Sequence, residues 1–517
     1  MSRFYKNSYD VVIIGGALAG LSAALRLLDD NYDVLVLEQH NLPGGVATSF
    51  VRGGVEFEAS LHEMVSIGSS EQPLRIREYL DEHDVRVDWL DIPDAYHYVS
   101  NHLDVTIRAG HDGDFSLPAR DIANACGDRM DVVYNKLLDF FSLCHKVWYS
   151  ANHYGDEKLS KIKLIKKHPE FVKILGYSAK EVMEAYQLPQ TAIELLSAYW
   201  MYLGSPIDDL PFLLYGYIIA DYIGHGPHIP AHTSYEISLK MLESVERRGG
   251  QVEFSQKVDK ILVKNKKAYA VKLKDGTVIN AKYIICGAYP NTAYSEMIEP
   301  KEEVPPSLIK TINGMDLGVS CFSVVMLLDR DYKDLNIKDY ATFYAPHGLD
   351  TRRMYEDGKT FGKWDYFTSV CMNVVNKNAS SEGTCIYSIT YLPNGESFKD
   401  VEANNYEEYK NVMTEHFLKY ESQRLGVNLK DHILEIIVET PITIAPYTGA
   451  YNGVIYGYRH SMDNHSAARM EMNDENYFSN LFFAGAHGGE GDGMGPAITS
   501  GKVAAEAIIA IDKGGKE

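Results

Sequence analysis

Glycines and one carboxylate near the N-terminus have the types and spacing of a nucleotide-binding loop. The stretch reads DVVIIGGALAGLSAALRLLDDNYDVLVLEQHN from Asp10. Gly15 would allow a tight turn after an apolar run, and Gly20 would let a helix pack closely on that run. The helix N-terminus would then face a pyrophosphate, and Glu38 would accept hydrogen bonds from ribose hydroxyls. The spacing therefore predicts a bound dinucleotide.

Ala17 departs from the usual G-x-G-x-x-G spacing because it stands at the middle glycine position. Its methyl group costs clearance where the backbone comes closest to the phosphates, but it removes no N–H donor. Gly16, the preceding residue, keeps the turn flexible. We therefore expect a crowded but working phosphate site, in which Ala17→Gly leaves the nucleotide bound.

Two further glycine-rich stretches stand out, and the second would let the backbone pass close to a flat ligand. Gly44 and Gly45 follow the second apolar run, and GAHGGEGDGMG covers residues 485–495. An apolar strand over 481–484 and a helical pattern over 496–511 bracket the second stretch, and that helix would direct its positive end at the ligand. The alternatives are a simple turn for the first stretch and a flexible linker for the second.

The elements that must hold these loops are predicted from periodicity. Leucines recur at helical spacing between the apolar strands that end near Gly15 and Glu38. Farther along, a helix is predicted over 234–248, followed by a strand that contains Val258. An apolar strand that ends at Cys286 completes the unit.

With these stretches in this order, the chain resembles the phytoene desaturase, carotenoid isomerase and retinol saturase group of flavoprotein oxidoreductases. The segment TPITIAPYTGAYNGVIYGYRHS, residues 440–461, is similar to the carotenoid isomerase and saturase branch. The resemblance implies FAD as the cofactor. It also implies an α/β fold: a glutathione-reductase-like, Rossmann-type FAD-binding domain in several chain segments with an inserted α+β substrate domain.

The resemblance also assigns cofactor contacts along the chain. The first glycine loop would meet the pyrophosphate, and the acid after the second strand would bind the adenosine ribose. The backbone of Val258 would meet the adenine, and the C-terminal loop would line the flavin. The implied contacts are Gly15, Gly16, Ala17, Gly20, Glu38, Gly45, Val258, Gly485, Gly491 and Met494.

Two domains are predicted from the length of 517 residues and from the positions of these segments. The FAD-binding domain takes residues 1–70, 223–300 and 446–517, and the substrate-binding domain takes residues 71–222 and 301–445. Aromatic residues of the second domain cluster in SAYWMYLG and LLYGYIIADYIG, at 197–204 and 213–224. These clusters would line a tunnel for a long apolar ligand, or they are ordinary core packing.

Two residues are candidates for moving protons. His232 in PHIPAHTS stands where the resembled group often has a glycine, which would place a titratable group near the flavin. Glu490 lies in the C-terminal glycine loop, where an acid would shuttle protons or orient a polar substrate end. The alternatives are a structural histidine in a turn and an acid that faces solvent.

The composition limits the partners. A net charge of −21 argues against nucleic acid or an anionic membrane as the main partner, because repulsion would dominate the long-range field. The six cysteines form no C-x-x-C pair, which suits a reducing compartment and predicts no metal site. No apolar run is long enough to span a bilayer, and a strand begins by Asp10, so we expect a cytoplasmic chain without a signal peptide.

One basic stretch qualifies that expectation. KLSKIKLIKKHPEFVKIL, residues 158–175, carries an apolar stripe beside its lysines. Such a stretch would make a peripheral membrane contact, useful if the substrate resides in lipid. The alternative is a solvated lysine face on a core helix.

The predicted function is an FAD-dependent oxidoreductase that acts on carbon–carbon bonds of a hydrophobic polyene, isoprenoid or fatty-acid-like substrate. Desaturation, saturation and double-bond isomerisation stay open, with hydride transfer at flavin N5. Because we find only one nucleotide fold, the electron partner is not assigned. An amine-oxidase-like flavoprotein is the alternative, and a binding protein that keeps FAD as structure is a third hypothesis.

Overall fold

Two large β-sheets organise the chain. The computed structural model describes residues 6–127, 129–153, 173–464 and 477–514. Each sheet has helices packed against it, and buried apolar side chains fill the layers between them.

The first sheet has eight strands and carries the predicted nucleotide loop. Strand Ser8–Ile14 is a valine and isoleucine run whose last four residues are buried, as expected for a parallel strand that is covered on both faces. It pairs in parallel with Val34–Leu37 and with Val278–Cys286. The remaining strands are Gln251–Glu253, Val258–Lys264, Lys267–Leu273, Ile298–Glu299 and Leu481–Phe483.

All strands of this sheet lie within the three segments predicted for the FAD-binding domain, although the domain boundaries themselves stay a prediction. Helices Leu18–Asp29 and Met494–Asp512 cross closely beside it, since a methyl group at Gly501 would overlap the backbone of Ala19. Helix Arg75–Glu82, just past predicted boundary 70, joins this layer: its Tyr79 hydroxyl donates to the Ser22 carbonyl at 2.7 Å.

The second sheet has seven strands and is mostly antiparallel. Only the pair Asp94–Val99 and Ala341–Tyr344 runs parallel. The other strands are Asp104–Arg108, Phe322–Leu328, Phe367–Cys371, Cys385–Tyr391 and Ile433–Glu439. All seven strands fall in the segments predicted for the substrate domain. This sheet is the β-sheet of the inserted α+β domain. Two small antiparallel sheets pair Ser49–Arg52 with Val55–Glu58, as a hairpin, and Trp89–Asp91 with the distant His228–Pro230.

Helices fill the space around both sheets. The predicted helix over 234–248 spans Ser234–Arg247, and the C-terminal helix begins at Met494, two residues before the predicted start at Pro496. Proline is tolerated there because the first turn of a helix needs no backbone N–H. The other α-helices are Ser116–Ala125, Met130–His153, Ala179–Ala185, Gln190–Ser197, Trp200–Leu203, Phe212–Ile219, Pro290–Thr292, Pro306–Asn313, Thr351–Asp357, Met372–Val375, Tyr406–Leu425 and Pro441–Thr448, and a π-helix covers Ala220–His225.

By length and composition, one described helix, Met494–Asp512, could cross a membrane. It packs instead against helix Leu18–Asp29, where the Ser22 hydroxyl donates to the Ile498 carbonyl at 2.6 Å. Ala505 and Ile508 are fully buried in the same layer. The helix therefore serves as a core element of the first domain.

The predicted membrane contact over 158–175 lies outside the described residues except for its last three. Of these, Ile174 is buried in the apolar core, whereas Leu175 is 47% exposed. The contact stays a prediction.

Candidate active site

The first glycine loop forms a phosphate cradle. Gly15 adopts φ +104°, a backbone conformation that favours glycine, and its N–H donates to the Leu37 carbonyl at 2.9 Å. At Gly20 a methyl group would overlap the Gly15 carbonyl oxygen, which explains the close helix approach. Helix Leu18–Asp29 begins without a side-chain cap and without an acid in its first turn. Its first N–H groups are therefore available to an anion.

Ala17 meets the second glycine pair. The Gly44 N–H donates to the Gly16 carbonyl at 2.9 Å, which brings the two loops side by side. Gly45 adopts φ +63°, and a methyl group added there would lie 2.9 Å from the Ala17 Cβ. The Ala17 methyl group thus lies toward the space that the glycine at 45 leaves open. This contact explains how the loop tolerates alanine at its middle position.

Glu38 lies at the end of the second strand, beside this cradle. Its carboxylate accepts from the Gly16 N–H at 2.6 Å and from the His40 N–H at 2.8 Å. The Gln256 N–H donates to the Glu38 carbonyl at 2.8 Å, so the start of strand Val258–Lys264 lies close by. The predicted ribose and adenine contacts, Glu38 and Val258, thereby lie close to each other.

The C-terminal loop returns to the same domain. The Gly485 N–H donates a hydrogen bond to the Ser500 hydroxyl at 3.0 Å, which connects the loop to helix Met494–Asp512. That helix also begins without a side-chain cap and without an acid in its first turn. Within the loop, Gly491 lies against the ring of His460, and the Asp492 carboxylate is hydrogen-bonded to His460 Nε2. Both side chains of this pair are almost fully buried.

The two predicted proton carriers occupy different environments. His232 is exposed, in the bend before helix Ser234–Arg247. Glu490 is partly buried, and this burial raises the pKa of its carboxyl although nearby Arg75 favours the charged form. Both roles stay predictions.

A buried carboxyl that the sequence reasoning missed lies between the two domains. Glu63 is 6% exposed, and neither of its oxygens makes a hydrogen bond within the part of the chain that the structure describes. Burial raises the pKa of this carboxyl to about 8, while the neighbouring Tyr202 hydroxyl favours the charged form. At neutral pH the side chain is therefore mainly protonated.

The segment around Glu63 leaves the first domain and lies against the second sheet. Thr390, in strand Cys385–Tyr391, hydrogen-bonds the His62 ring at 3.2 Å, and the Tyr340 hydroxyl donates to the His62 carbonyl. The Met64 N–H donates to the His228 carbonyl at 2.8 Å. These contacts fix the backbone on both sides of Glu63 and hold its side chain between the domains.

Tyrosines from the two predicted aromatic clusters surround this carboxyl. Tyr202 and Tyr222 have ring centroids 5.6 Å apart, and Tyr199 lies 5.0 Å from Tyr222. The His62 ring meets Tyr202 edge-on at 6.2 Å. We call Glu63 with its aromatic neighbours the tyrosine cage; its members are His62, Glu63, Tyr199, Tyr202, Tyr222 and Tyr340.

A second buried acid lies at the edge of the cage and is bonded differently. Asp221 accepts from the Ser66 N–H at 3.2 Å and from the Ser66 hydroxyl. Its burial still raises its pKa to about 6, with Arg75 opposing the shift. Tyr222 is close enough to Asp221, Glu63 and Asp492 for each of these acids to raise its pKa. The cage thus adjoins the C-terminal loop of the first domain.

Comparison with known proteins fits this architecture. Residues 18–509 match the family described as flavin containing amine oxidoreductase. The chain belongs to this family. The match confirms that the protein is an FAD-dependent enzyme, with the predicted Rossmann-type domain and inserted α+β domain.

Relatives of this flavoprotein include proteins that are named for carotenoid and retinoid substrates. Chloroplastic prolycopene isomerase of Daucus carota is 22% identical over 477 residues, 87% of this chain and 72% of the relative. All-trans-retinol 13,14-reductase of Danio rerio is 23% identical, over 89% of this chain and 79% of the relative. 4,4'-Diaponeurosporene oxygenase of Staphylococcus haemolyticus is 21% identical and covers 97% of both chains.

Solved structures similar to this flavoprotein include amine oxidases. Putrescine oxidase with bound putrescine has a TM-score of 0.62 at 13% identity and covers 97% of this chain and 99% of its own. Cyclohexylamine oxidase from Brevibacterium oxydans has a TM-score of 0.57 at 13% identity, over 98% and 100% of the two chains. At such identities the likeness shows the shared fold.

The residues present fit FAD. The uncapped helix at Leu18 offers N–H donors for the pyrophosphate, and the glycines at 15 and 45 let backbone approach it. Glu38 provides a buried carboxylate for ribose hydroxyls. FAD, when bound, supplies the redox chemistry of the enzyme, whereas the chain must bind the substrate and handle protons.

The sequence contains only faint signals for the cage. Glu63 interrupts the apolar stretch SLHEMVSIG, and Asp221 interrupts YIIADYIG. An acid inside an apolar run is a candidate for a buried titratable group. The aromatic clusters were recognised, but the segment they surround was not.

Proposed function

We propose that this FAD-dependent enzyme acts on carbon–carbon double bonds of a hydrophobic polyene or isoprenoid substrate. The observation that carries the proposal is the tyrosine cage, which lies between the FAD-binding and inserted domains and brings a neutral carboxyl into an apolar environment. The names of the curated relatives, which refer to prolycopene, retinol and diaponeurosporene, support the same substrate class. The reaction can be a desaturation, a saturation or an isomerisation, and the anaerobic incubation described below distinguishes the three.

The residues of this chain have three tasks in such a reaction. The cage excludes water from the reacting bond and orients the substrate. The backbone of the first glycine loop and Glu38 hold the cofactor. Proton movement falls to the buried Glu63 and the partly buried Glu490, which are protonated more readily than ordinary carboxylates.

An anaerobic incubation tests the proposal. The FAD-loaded protein is mixed with prolycopene, 4,4'-diaponeurosporene or all-trans-retinol, and the products are separated by chromatography while flavin absorbance is followed. Bleaching with loss of two substrate hydrogens means desaturation, and a changed isomer with unchanged mass means isomerisation. Saturation requires prior reduction of the flavin by dithionite. The absence of any double-bond change under all of these conditions would refute the proposal.

A second candidate, an amine-oxidase-like activity, is favoured by one observation. Aromatic rings around a carboxyl provide cation–π contacts and a counter-ion for an ammonium group. The burial of Glu63 argues against it, because its raised pKa means that binding a cation there must also remove the carboxyl proton. Peroxide formation with putrescine or cyclohexylamine in air would identify this activity.

The predicted membrane contact belongs to the proposal as a route for substrate entry. Flotation with liposomes tests it, and deletion of the lysine charges in 158–172 provides the matched variant. A wild-type protein that does not float would refute the contact.

A further inference from the structure

Three polar atoms of the tyrosine cage have no hydrogen-bond partner among the described residues. They are both carboxyl oxygens of Glu63 and the hydroxyl of Tyr202, and all three are buried from solvent. Glu63 and Tyr202 are neighbours, yet no hydrogen bond of ordinary geometry joins them. Leaving buried polar groups unpaired is costly, so folded proteins satisfy nearly all of them.

A nearby, partly buried glutamate shows that the fold provides hydrogen-bond donors where an acid has a structural role. Glu58 is five residues away, and its carboxylate accepts from the Ser234 N–H at 2.6 Å, the Ser234 hydroxyl at 2.8 Å, the Ser60 N–H at 3.1 Å and the Leu61 N–H at 3.0 Å. It thereby caps the start of helix Ser234–Arg247. Glu63 has no such role, so its unpaired oxygens call for a different explanation.

We propose that Glu63 and Tyr202 together bind one oxygen atom of the substrate, a hydroxyl or carbonyl on an otherwise hydrophobic polyene. The inference rests on the proposed function and goes beyond it, because it assigns the enzyme to oxygen-bearing polyenes rather than to pure hydrocarbons. The remaining members of the cage, His62, Tyr199, Tyr222 and Tyr340, form the surrounding wall.

The chemistry of the two groups matches such an oxygen. A protonated carboxyl provides one donor and acceptor sites, and a tyrosine hydroxyl provides one of each. Together they can donate to a carbonyl oxygen, and they can both donate to and accept from a hydroxyl. A neutral carboxyl also avoids placing a charge beside an apolar ligand.

The groups that face Glu63 keep it neutral. The His62 ring is buried, which lowers its pKa to about 4, so it carries no charge at neutral pH. The tyrosines of the cage have pKa values well above neutrality because they are buried. Asp221 lies beyond Tyr222 and is satisfied by Ser66. At neutral pH the cage members around the oxygen-binding pair are therefore uncharged, and the nearby acid Asp221 is held by Ser66.

Such a site discriminates strongly between ligands that carry the oxygen atom and ligands that lack it. An analogue that lacks the oxygen leaves the buried groups unpaired, whereas an extra methylene in an apolar pocket changes binding much less. We expect the wild-type protein to bind an oxygen-bearing polyene at least about 100-fold more tightly than its hydrocarbon counterpart.

The test is equilibrium binding of matched ligand pairs to the FAD-loaded protein, followed by the change in flavin absorbance. One pair is all-trans-retinol and the hydrocarbon in which hydrogen replaces its hydroxyl. The other is the terminal aldehyde of 4,4'-diaponeurosporene and 4,4'-diaponeurosporene itself. Glu63→Met and Tyr202→Phe should each lower the preference for the oxygen-bearing ligand about tenfold or more.

Two conservative variants serve as controls. Glu63→Gln keeps a donor and an acceptor and should restore most of the preference that Glu63→Met loses. Glu58→Gln changes a carboxylate outside the cage and should leave the preference unchanged, although it lowers stability. Because Tyr202→Phe removes only a hydroxyl, it tests the site even if Glu63→Met fails to fold.

The outcomes separate this inference from the proposed function. Equal affinity for both members of each pair, or an unchanged preference in Glu63→Met and Tyr202→Phe, overturns the oxygen site. Selective binding without any double-bond change in the bound ligand, both with oxidised flavin and after its reduction by dithionite, supports the oxygen site and refutes the proposed function. Failure of all four ligands to bind overturns both.

Discussion

The phosphate cradle and the tyrosine cage place polar groups in opposite ways. In the cradle, the polar groups are backbone N–H and carbonyl groups, and glycines at 15, 20 and 45 allow them to approach one another closely. In the cage, side chains from the segment at 61–66, from two helical regions and from the second sheet surround one carboxyl. The cradle is local in sequence, whereas the cage is assembled across both domains.

The same contrast appears between Glu58, which is partly buried, and Glu63, which is almost fully buried. The carboxylate oxygens of Glu58 accept hydrogen bonds from its own turn and from helix Ser234–Arg247. Glu63 has none among the residues that the structure describes. We therefore assign Glu58 to stability and Glu63 to ligand binding. Substitutions at the two positions should then affect folding and substrate binding separately.

The largest effect is expected from a break in the cradle. Gly20→Ala places a methyl group on the Gly15 carbonyl oxygen, so the helix must move away from the loop. We expect most of the bound FAD to be lost and the melting temperature to fall. Flavin absorbance per chain measures the loss, and Gly176→Ala, where a methyl group meets nothing, is the control. Full FAD occupancy in Gly20→Ala would contradict this description of the cradle.

The two glutamates should respond to amide substitution with opposite signs. Glu58→Gln replaces charge-assisted hydrogen bonds with weaker ones and turns an NH2 group toward N–H donors, which costs roughly 2–3 kcal/mol. Glu63→Gln removes a group that resists ionisation and should leave stability at pH 7 equal or higher. Urea unfolding of both variants provides the comparison, and a larger loss for Glu63→Gln than for Glu58→Gln would reverse the two roles.

Glu63 should also make stability depend on pH. Its pKa is about 8 in the folded chain against an ordinary value of 4.5. Between these values the unfolded state has released the proton and the folded state has not, so stability falls as pH rises through this window. Relative to Glu63→Gln, the wild type should lose about 2–3 kcal/mol between pH 5 and pH 7. Parallel stability curves for the two proteins would show that Glu63 ionises normally.

The smallest effect is expected where the two glycine loops touch. Ala17→Gly should leave FAD bound and change stability by less than about 1 kcal/mol. Gly45→Ala should weaken FAD binding, because its methyl group meets Ala17 at 2.9 Å and the backbone there has positive φ. Adding Ala17→Gly to Gly45→Ala should recover part of the loss, and strict additivity in this double-mutant cycle would argue against the contact.

The difference between cradle and cage also explains what the sequence could predict. Gly15, Gly20 and Glu38 are spaced by a strand, a turn and a helix, whose geometry is nearly invariant, so their proximity follows from sequence spacing. The closeness of Glu63 to Tyr202 and Tyr340 depends on how two domains pack, which no local pattern encodes. The same reasoning missed the pair of His460 and Asp492, although both residues lie in stretches that the sequence marks.

The proton carriers proposed from sequence illustrate the same limit. The position of His232 in a family pattern predicts a place near the flavin, and the structure exposes the residue in a bend. Glu490 was chosen from its loop, and the structure partly buries it near Arg75. Burial and hydrogen-bond satisfaction, which identify Glu63, become visible only in three dimensions.

Turnover per bound FAD, measured on the same samples of wild type and Glu63→Met with an oxygen-bearing polyene, tests the central claim most directly. The account predicts equal FAD per chain in the two proteins and a turnover per FAD that falls at least about tenfold in the variant. Equal turnover per FAD, or loss of FAD from Glu63→Met, would contradict the separation of cofactor cradle and substrate cage.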